Sequence, residues 1–362
     1  MSLGEARGET RRWHRLVRLL SQADLDGLLV TGEANRRYLS GFTGSSGVVV
    51  LGGTVGEAWL VTDPRYAEQA RGEVGEGWNV VEHGLDQAAW VAEVIRAAGI
   101  RRLGFEADHL THSAYHRYED LLSGLTLVPT VGMVEGLRAI KDAMELDTLR
   151  QAARISSQAW AEVEQAVKPG AAEEDLAFEV SRSLHRYGAS NAFSPIVAGG
   201  KRSALPHATP SSYALCPGDV VQFDLGARYQ GYCSDLSRVL FLPPRSPLLV
   251  RVWEAVQLAY SAALSVLRPG VTGGEVDRAA RSVLEEAGWE RYTLRGLGHG
   301  VGLEIHEAPR LVMGSAEVLL PGMVFTLEPG VYLPGVGGVR YEDTVLLAED
   351  GVHILTRLQA GG

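Results

Sequence analysis

Val220–Val221–Gln222–Phe223–Asp224–Leu225–Gly226 is an apolar, β-branched run that carries one acid near its end. A short polar interval later, Gly231–Tyr232–Cys233–Ser234–Asp235–Leu236–Ser237–Arg238 sets a second acid in a similar context. Residues 220–225 and 238–241 read as the strands of a hairpin, with Gly226 and Gly231 in the connection and Pro243–Pro244 ending it. Such a hairpin would let Asp224 and Asp235 face each other. Two acids placed in apolar strands need an explanation, because a buried carboxylate is unfavourable until something neutralises it.

Working outward, helical patterns fill residues 141–167 and 173–187, with Pro169–Gly170 as the turn between them. Two more helices follow at 246–267 and 273–287, and strand-like runs close the chain at 323–327, 338–341 and 344–347. Helices and antiparallel strands in blocks indicate an α+β domain. Residues 11–130 differ: helical stretches alternate there with short β-rich runs at 28–31, 47–51, 58–62, 78–81 and 102–105, which indicates an α/β domain. Gly132 and Gly136 interrupt that alternation, so the boundary is expected near 133, giving domains 1–133 and 134–362. No repeat of 20–50 residues and no low-complexity tract is evident.

Composition narrows the function classes. A chain of 362 residues with 46% hydrophobic and 22% charged residues has room for two well-buried cores. Its net charge of −10 argues against a nucleic-acid partner, which would call for clustered Lys and Arg. Only Cys216 and Cys233 are present, without a secretory leader pattern, which points to free thiols and a cytoplasmic location. The N-terminus mixes Glu5, Arg7, Glu9, Arg11 and Arg12 before Trp13, Leu16, Val17, Leu19 and Leu20, the pattern of a surface helix. No apolar run approaches the ~20 residues of a membrane span.

Three further residues join the two acids. Glu328 ends the run Val324–Phe325–Thr326–Leu327, Glu342 follows Val339–Arg340–Tyr341, and His299 lies in Gly296–Leu297–Gly298–His299–Gly300–Val301–Gly302. Taken singly, a strand-edge carboxylate is an ordinary solvated or salt-bridged group. Together, four carboxylates and one imidazole offer hard oxygen donors with one borderline nitrogen. That set suits Mn²⁺ first, with Co²⁺ or Zn²⁺ as alternatives. Two ions roughly 3.5–4 Å apart can share bridging carboxylates and a hydroxide.

The pattern Asp224, Asp235, His299, Glu328, Glu342 resembles the metallopeptidases of the methionine aminopeptidase, prolidase and aminopeptidase P family, whose catalytic domain has the pita-bread fold. The stretch Ala34–Asn35–Arg36–Arg37–Tyr38–Leu39–Ser40–Gly41–Phe42 is similar to the creatinase-like N-terminal domain of the proline-specific members. The resemblance implies that Asp224 chelates one ion, that Asp235 and Glu342 bridge both, and that His299 and Glu328 complete the second. It also implies that Glu328 moves the proton of a metal-bridging hydroxide. His207, in Leu205–Pro206–His207–Ala208, and His306, in Leu303–Glu304–Ile305–His306–Glu307–Ala308–Pro309, match the family's substrate histidines. Arg340 matches a position that would hold the bridging carboxylates by bidentate hydrogen bonds.

One residue departs from the pattern. Arg295 stands where many proline-specific relatives carry a histidine, and a fixed cation there favours a negative or carbonyl group on the substrate. Thr62–Asp63–Pro64–Arg65–Tyr66 resembles a motif of small bacterial aminopeptidases P, a resemblance that implies Asp63, Arg65 and Tyr66 as substrate residues serving a neighbouring subunit of a homodimer. The expected activity is therefore removal of an N-terminal residue before proline. The alternatives are an Xaa-Pro dipeptidase (prolidase), an inactive pita-bread binding module, and methionine aminopeptidase, which generally lacks the extra N-terminal domain.

Other chemistry-bearing residues carry less. His109, His112 and His116 fall on one predicted helical face with no acceptor cluster beside them, as surface histidines do. His306–Glu307 lacks the second histidine of a zinc helix, since Arg310 occupies that place. The glycines at 296, 298, 300 and 302 alternate without dinucleotide-binding spacing and are expected to let strands approach the ions closely.

Overall fold

The computed structural model describes the backbone of residues 3–357 and side chains from residue 12, so the side chains of Glu5, Arg7, Glu9 and Arg11 lie outside the described residues. The chain divides into two compact units, Met1–Arg138 and Ala139–Gly362. The division falls a little beyond the expected boundary because Gly136 lies inside a helix of the first unit, donating its amide to Gly132 O at 2.9 Å. In the same helix Arg138 is buried and donates to Asn35 Oδ1 at 2.7 Å.

The first unit comprises α1 (Leu3–Gln22), β1 (Gly27–Val30), α2 (Glu33–Ser40), β2 (Val48–Gly52), β3 (Ala58–Thr62), α3 (Ala67–Glu73), β4 (Trp78–Glu82), α4 (Gln87–Ala97), β5 (Arg102–Glu106), α5 (His112–Leu121), β6 (Thr126–Thr130) and α6 (Met133–Ala139). Its strands form one mixed sheet of order β4-β3-β2-β1-β5-β6. Every residue of β1 and β2 is buried, so these strands read as unbroken apolar runs. Leu29, Val48 and Val50 pack with Val91 and Ile95 of α4, while the alternate residues Leu28, Val30 and Val49 are equally buried. Both faces are therefore covered. Strand β6 escapes the sequence reading because Pro129 argues against a strand. It is tolerated because β6 is the sheet edge.

The second unit begins with α7 (Ala143–Val163), α8 (Glu173–Arg186), β7 (Ser190–Asn191), β8 (Ile196–Gly199), β9 (Val220–Leu225), β10 (Ala227–Tyr229), β11 (Tyr232–Cys233) and β12 (Leu236–Phe241). It continues through α9 (Pro247–Val266), α10 (Gly273–Glu286), β13 (Gly298–Gly300), β14 (Glu307–Leu311), β15 (Val324–Leu327), β16 (Gly330–Leu333), β17 (Gly337–Arg340), β18 (Glu342–Ala348) and β19 (Gly351–Ile354). The main sheet is antiparallel in the order β14-β13-β15-β18-β12-β9-β8, with β19 on β18. Ile155, Leu176 and Val180 of α7 and α8 pack on Val221, Phe223 and Leu236, while Val256, Val276 and Ala280 of α9 and α10 pack with Phe325, Val345 and Leu347. Each such fully buried large side chain contributes about 1.5–3 kcal/mol. Among the described residues no helix is long and apolar enough to cross a membrane.

This unit is duplicated internally, at a period longer than the 20–50 residues considered from sequence. α7 and α8 flank Pro169–Gly170, and α9 and α10 flank Pro269–Gly270. Gly170 N donates to Leu215 O (2.7 Å) as Gly270 N does to Leu319 O (2.9 Å). Glu173 N donates to Tyr213 O (3.1 Å) as Gly273 N does to Glu317 O (2.9 Å). The following segments then match: Leu215–Cys216–Pro217–Gly218–Asp219–Val220–Val221–Gln222–Phe223–Asp224 with Leu319–Leu320–Pro321–Gly322–Met323–Val324–Phe325–Thr326–Leu327–Glu328. Asp224 and Glu328 are thus equivalent residues of the two halves.

Candidate metal centre and substrate cleft

Strand register builds the site. Ser237 on β12 is paired with Asp224 on β9 and with Glu342 on β18, which sets two carboxylates level with each other across three neighbouring strands. Asp235 stands just before β12, where its amide donates to Thr344 Oγ1 (3.0 Å) and its carbonyl accepts from the same hydroxyl (2.8 Å). Glu328 leaves the end of β15. His299 enters from β13, its amide donating to Thr326 Oγ1 (3.1 Å), and that hydroxyl donates to Glu328 Oε1 (3.1 Å). His299 Nε2 then lies 3.3 Å from Glu328 Oε1 and 3.7 Å from Asp235 Oδ2. A Cβ at Gly298 would meet Thr326 O at 2.0 Å, and one at Gly300 would meet Ala308 O at 2.0 Å, so both glycines admit neighbouring backbone.

The electrostatics are those of a cradle awaiting positive charge. Burial drives the carboxyls of Asp235 and Glu342 well above the ordinary range, and neighbouring carboxylates push the same way. Burial also raises Asp224, against the pull of Arg340. Glu328 goes the other way: burial would raise it, but the hydrogen bond and charge of His299, the charge of Arg340 and the hydrogen bond of Thr326 together hold it low. Three buried oxygens, Asp224 Oδ1, Asp235 Oδ1 and Glu342 Oε1, have no hydrogen-bond partner. Ligand atoms of Asp235, His299 and Glu342 lie within 4.8 Å of one another. Buried acceptors are normally satisfied, so three orphans beside an imidazole fit divalent cations.

A trio in the first unit supplies the contrast. Glu106, His109 and Glu135 are as close together. Yet Glu106 accepts from the amides of Thr31 and Gly32 and from Asn35, and Glu135 accepts from Asn35 and His109. That cluster is a closed polar knot. His109 also lies ahead of α5, so it does not share the helical face expected for it; His112 and His116, on α5, contact each other with Nε2 atoms 3.1 Å apart.

Around the cradle lies a cleft of about 480 Å³, lined by residues of the second unit that include Ile196, His207, Arg295, His306, Glu328 and Arg340. His306 stands edge-on to His299, ring centroids 4.2 Å apart, and burial holds it below the ordinary histidine value, with His299 and Arg310 adding to the effect. Arg340 is buried and makes no bidentate pair with one carboxylate. It divides its donors among Asp224 Oδ2, Ser237 Oγ (2.8 Å), Tyr332 OH (2.6 Å) and Pro206 O (3.3 Å), with Glu342 Oε2 3.8 Å from Nε. Among the described residues no acceptor hydrogen-bonds the guanidinium of Arg295. Asp63, Arg65 and Tyr66 belong to the first unit. There Asp63 caps a short 3₁₀ turn and pairs with Arg65 at 2.8 Å, while Tyr66 OH meets Ser45 Oγ at 2.8 Å.

Ser237, Thr326 and Tyr332 had no sequence signal of their own, and three ion pairs with buried carboxylates were equally silent. Glu173 pairs with Arg202, Asp277 with Arg281, and Lys141 with Glu307. The register around Asp224 and Glu342 would have exposed Ser237 had the order of strands been known.

Comparison with known proteins bears on the whole chain. The profile of metallopeptidase family M24 matches residues 147–349, and that of the creatinase/prolidase N-terminal domain matches residues 12–140. An uncharacterised peptidase of Bacillus subtilis is 39% identical over 94% of this chain and 96% of its own. The solved Xaa-Pro dipeptidase of Bacillus anthracis superposes with a TM-score of 0.93 at 38% identity, covering 97% of this chain and 98% of that one. The X-Pro aminopeptidase of Thermotoga maritima does so with a TM-score of 0.86 at 33% identity, over 95% and 98%.

Proposed function

The chain belongs to metallopeptidase family M24, with a creatinase-type N-terminal domain ahead of a pita-bread catalytic domain, and from that premise we propose that it cleaves the bond between an N-terminal residue and a following proline in peptides. The observation that carries the reading is the set of three orphaned carboxylate oxygens beside His299, opening into a cleft that also holds His207 and His306. Names among the relatives support the Xaa-Pro bond as the target.

Asp224, Asp235, His299, Glu328 and Glu342 would hold two divalent ions, Mn²⁺ by the hardness of the donors, with Co²⁺ or Zn²⁺ as alternatives. When bound, such ions polarise the scissile carbonyl and make water acidic enough to attack at neutral pH. Glu328 accepts a proton from the attacking water and passes one to the proline nitrogen as the carbon–nitrogen bond breaks. His207 and His306 line the cleft as N–H donors for the carbonyl oxygen as it gains charge. Arg340 keeps Asp224 aligned and, lining the cleft, is also a candidate substrate-binding residue.

For peptide length, the first reading is an aminopeptidase acting as a cytoplasmic homodimer, in which Asp63, Arg65 and Tyr66 serve the neighbouring subunit's peptide. The exposure of the Arg65 side chain, 79%, supports that reach. One observation favours the dipeptidase: Arg295 presents an uncommitted cation to the cleft, suited to the free carboxylate of an Xaa-Pro dipeptide. Mass spectrometry of Mn²⁺-loaded enzyme with Ala-Pro and with Ala-Pro-Ala-Ala, beside a chelator-treated control, tests both. Metal-dependent loss of alanine from the longer peptide supports the aminopeptidase, preference for Ala-Pro the dipeptidase, and cleavage of neither overturns the proposal.

A further inference from the structure

Glu173, the first residue of α8, is fully buried and lies outside the metal cradle. Its Oε1 accepts from Gly199 N (2.8 Å) and Arg202 Nε (3.0 Å), and its Oε2 from Arg202 Nε (2.9 Å), Ser211 N (3.1 Å) and Ser211 Oγ (2.7 Å). One carboxylate therefore joins both ends of the segment 199–211, holding Gly199 and Arg202 at one end and Ser211 at the other. His207 rides on that segment. Next to it, Pro206 O accepts from Arg340, and Ser203 Oγ accepts from Gly338 N (2.8 Å) on β17.

An ion pair whose arginine is part-exposed adds little to stability, so the full burial of its carboxylate calls for a positional reason. The second half of the unit supplies one. The residue equivalent to Glu173 is Gly273, where a Cβ would lie 2.4 Å from Arg310 O. Main chain fills that space in the second half. In the first half the loop stands off from the helix by a side chain's length, and the carboxylate spans the gap.

We infer that Glu173 is a positioning residue, fixing the 199–211 segment so that His207 meets the peptide carbonyl, an inference that rests on the Xaa-Pro reading of the cleft. Glu173→Gln keeps the shape, removes the charge and turns an amide against the donors. Hydrogen–deuterium exchange should quicken in 199–211 and stay unchanged in β9. With whichever Xaa-Pro peptide the wild type cleaves, kcat should fall about 10- to 100-fold, as displacement of a positioned group by about 1 Å does, with KM and bound Mn²⁺ unchanged. The discriminating measurement is the double variant with His207→Ala, which should turn over no more slowly than His207→Ala alone, because both changes remove the same contribution. Losses that multiply, unchanged exchange in 199–211, or loss of Mn²⁺ would each overturn the assignment. If Glu173→Gln does not fold, Arg202→Met enters the same cycle from the solvent side of the pair, where the arginine side chain is 33% exposed. Should the wild type cleave neither Ala-Pro nor Ala-Pro-Ala-Ala, the substrate reading falls, and the exchange experiment alone decides whether Glu173 holds the loop.

Discussion

The two halves of the catalytic unit solve one problem alike and another differently. Each contributes an acid after a Pro-Gly turn and apolar strand, Asp224 in the first and Glu328 in the second, and the first sends His207 into the cleft while the second sends His299 and His306. The acids nevertheless sit in different company. Asp224 is pinned by Arg340, whereas Glu328 is held by Thr326 and His299. The loops that carry the histidines are also fixed by different means, Glu173 with Arg202 in one half and Lys141 with Glu307 in the other. The duplication supplies one candidate ligand from each half, and unshared residues surround each of them differently.

The largest expected effect separates the equivalent acids. Glu328→Gln should lower kcat about 10²- to 10⁴-fold, the usual scale of a general acid–base group. Asp224→Asn should lose activity chiefly by losing metal. Metal content measured beside kcat distinguishes them, and the same profile for both variants would erase the functional difference between the halves.

A middle-sized effect concerns the second loop. Lys141 and Glu307 are 1% and 4% exposed and 2.9 Å apart. Lys141→Met removes the cation from a buried carboxylate and should destabilise the protein by about 3–5 kcal/mol in chemical denaturation. A change below about 1 kcal/mol, the range of exposed pairs, would mean that the loop carrying His306 is held by other contacts.

The smallest effect lies at the helix starts. α10 opens with a capping box of Thr272 and Glu275, whereas α8 starts from Ala172 with no side-chain cap. Thr272→Ala should cost about 1 kcal/mol and leave the second half capped no better than the first, measured as a shift of the denaturation midpoint. No shift would show that packing alone holds α10.

Much of this was legible in the sequence, for identifiable reasons. Asp224, Asp235, Glu328 and Glu342 drew notice because acids in apolar strands conflict with their surroundings, and His299 because it sits among glycines. Glu173 gave no such signal, since an acid in the first turn of a helix is ordinary by its dipole alone. The duplication stayed hidden because its period is long and its copies have diverged where they matter most, with Asp224 set against Glu328 and Glu173 against Gly273. Strand β6 was masked by Pro129, whose tolerance depends on an edge position that only the sheet order reveals.

Ser237 donates its hydroxyl to Glu342 Oε2 at 2.6 Å, across 105 residues of chain, while its strand neighbour on the other side is Asp224. During synthesis, therefore, Asp224 and Asp235 leave the ribosome long before the strand that completes their surroundings. Pairings so distant in sequence are slow to form because the intervening chain must first be closed into a loop. A nascent chain cannot set Glu342 beside Ser237 and Asp224 until β18 has been made, so these acids meet only late in synthesis.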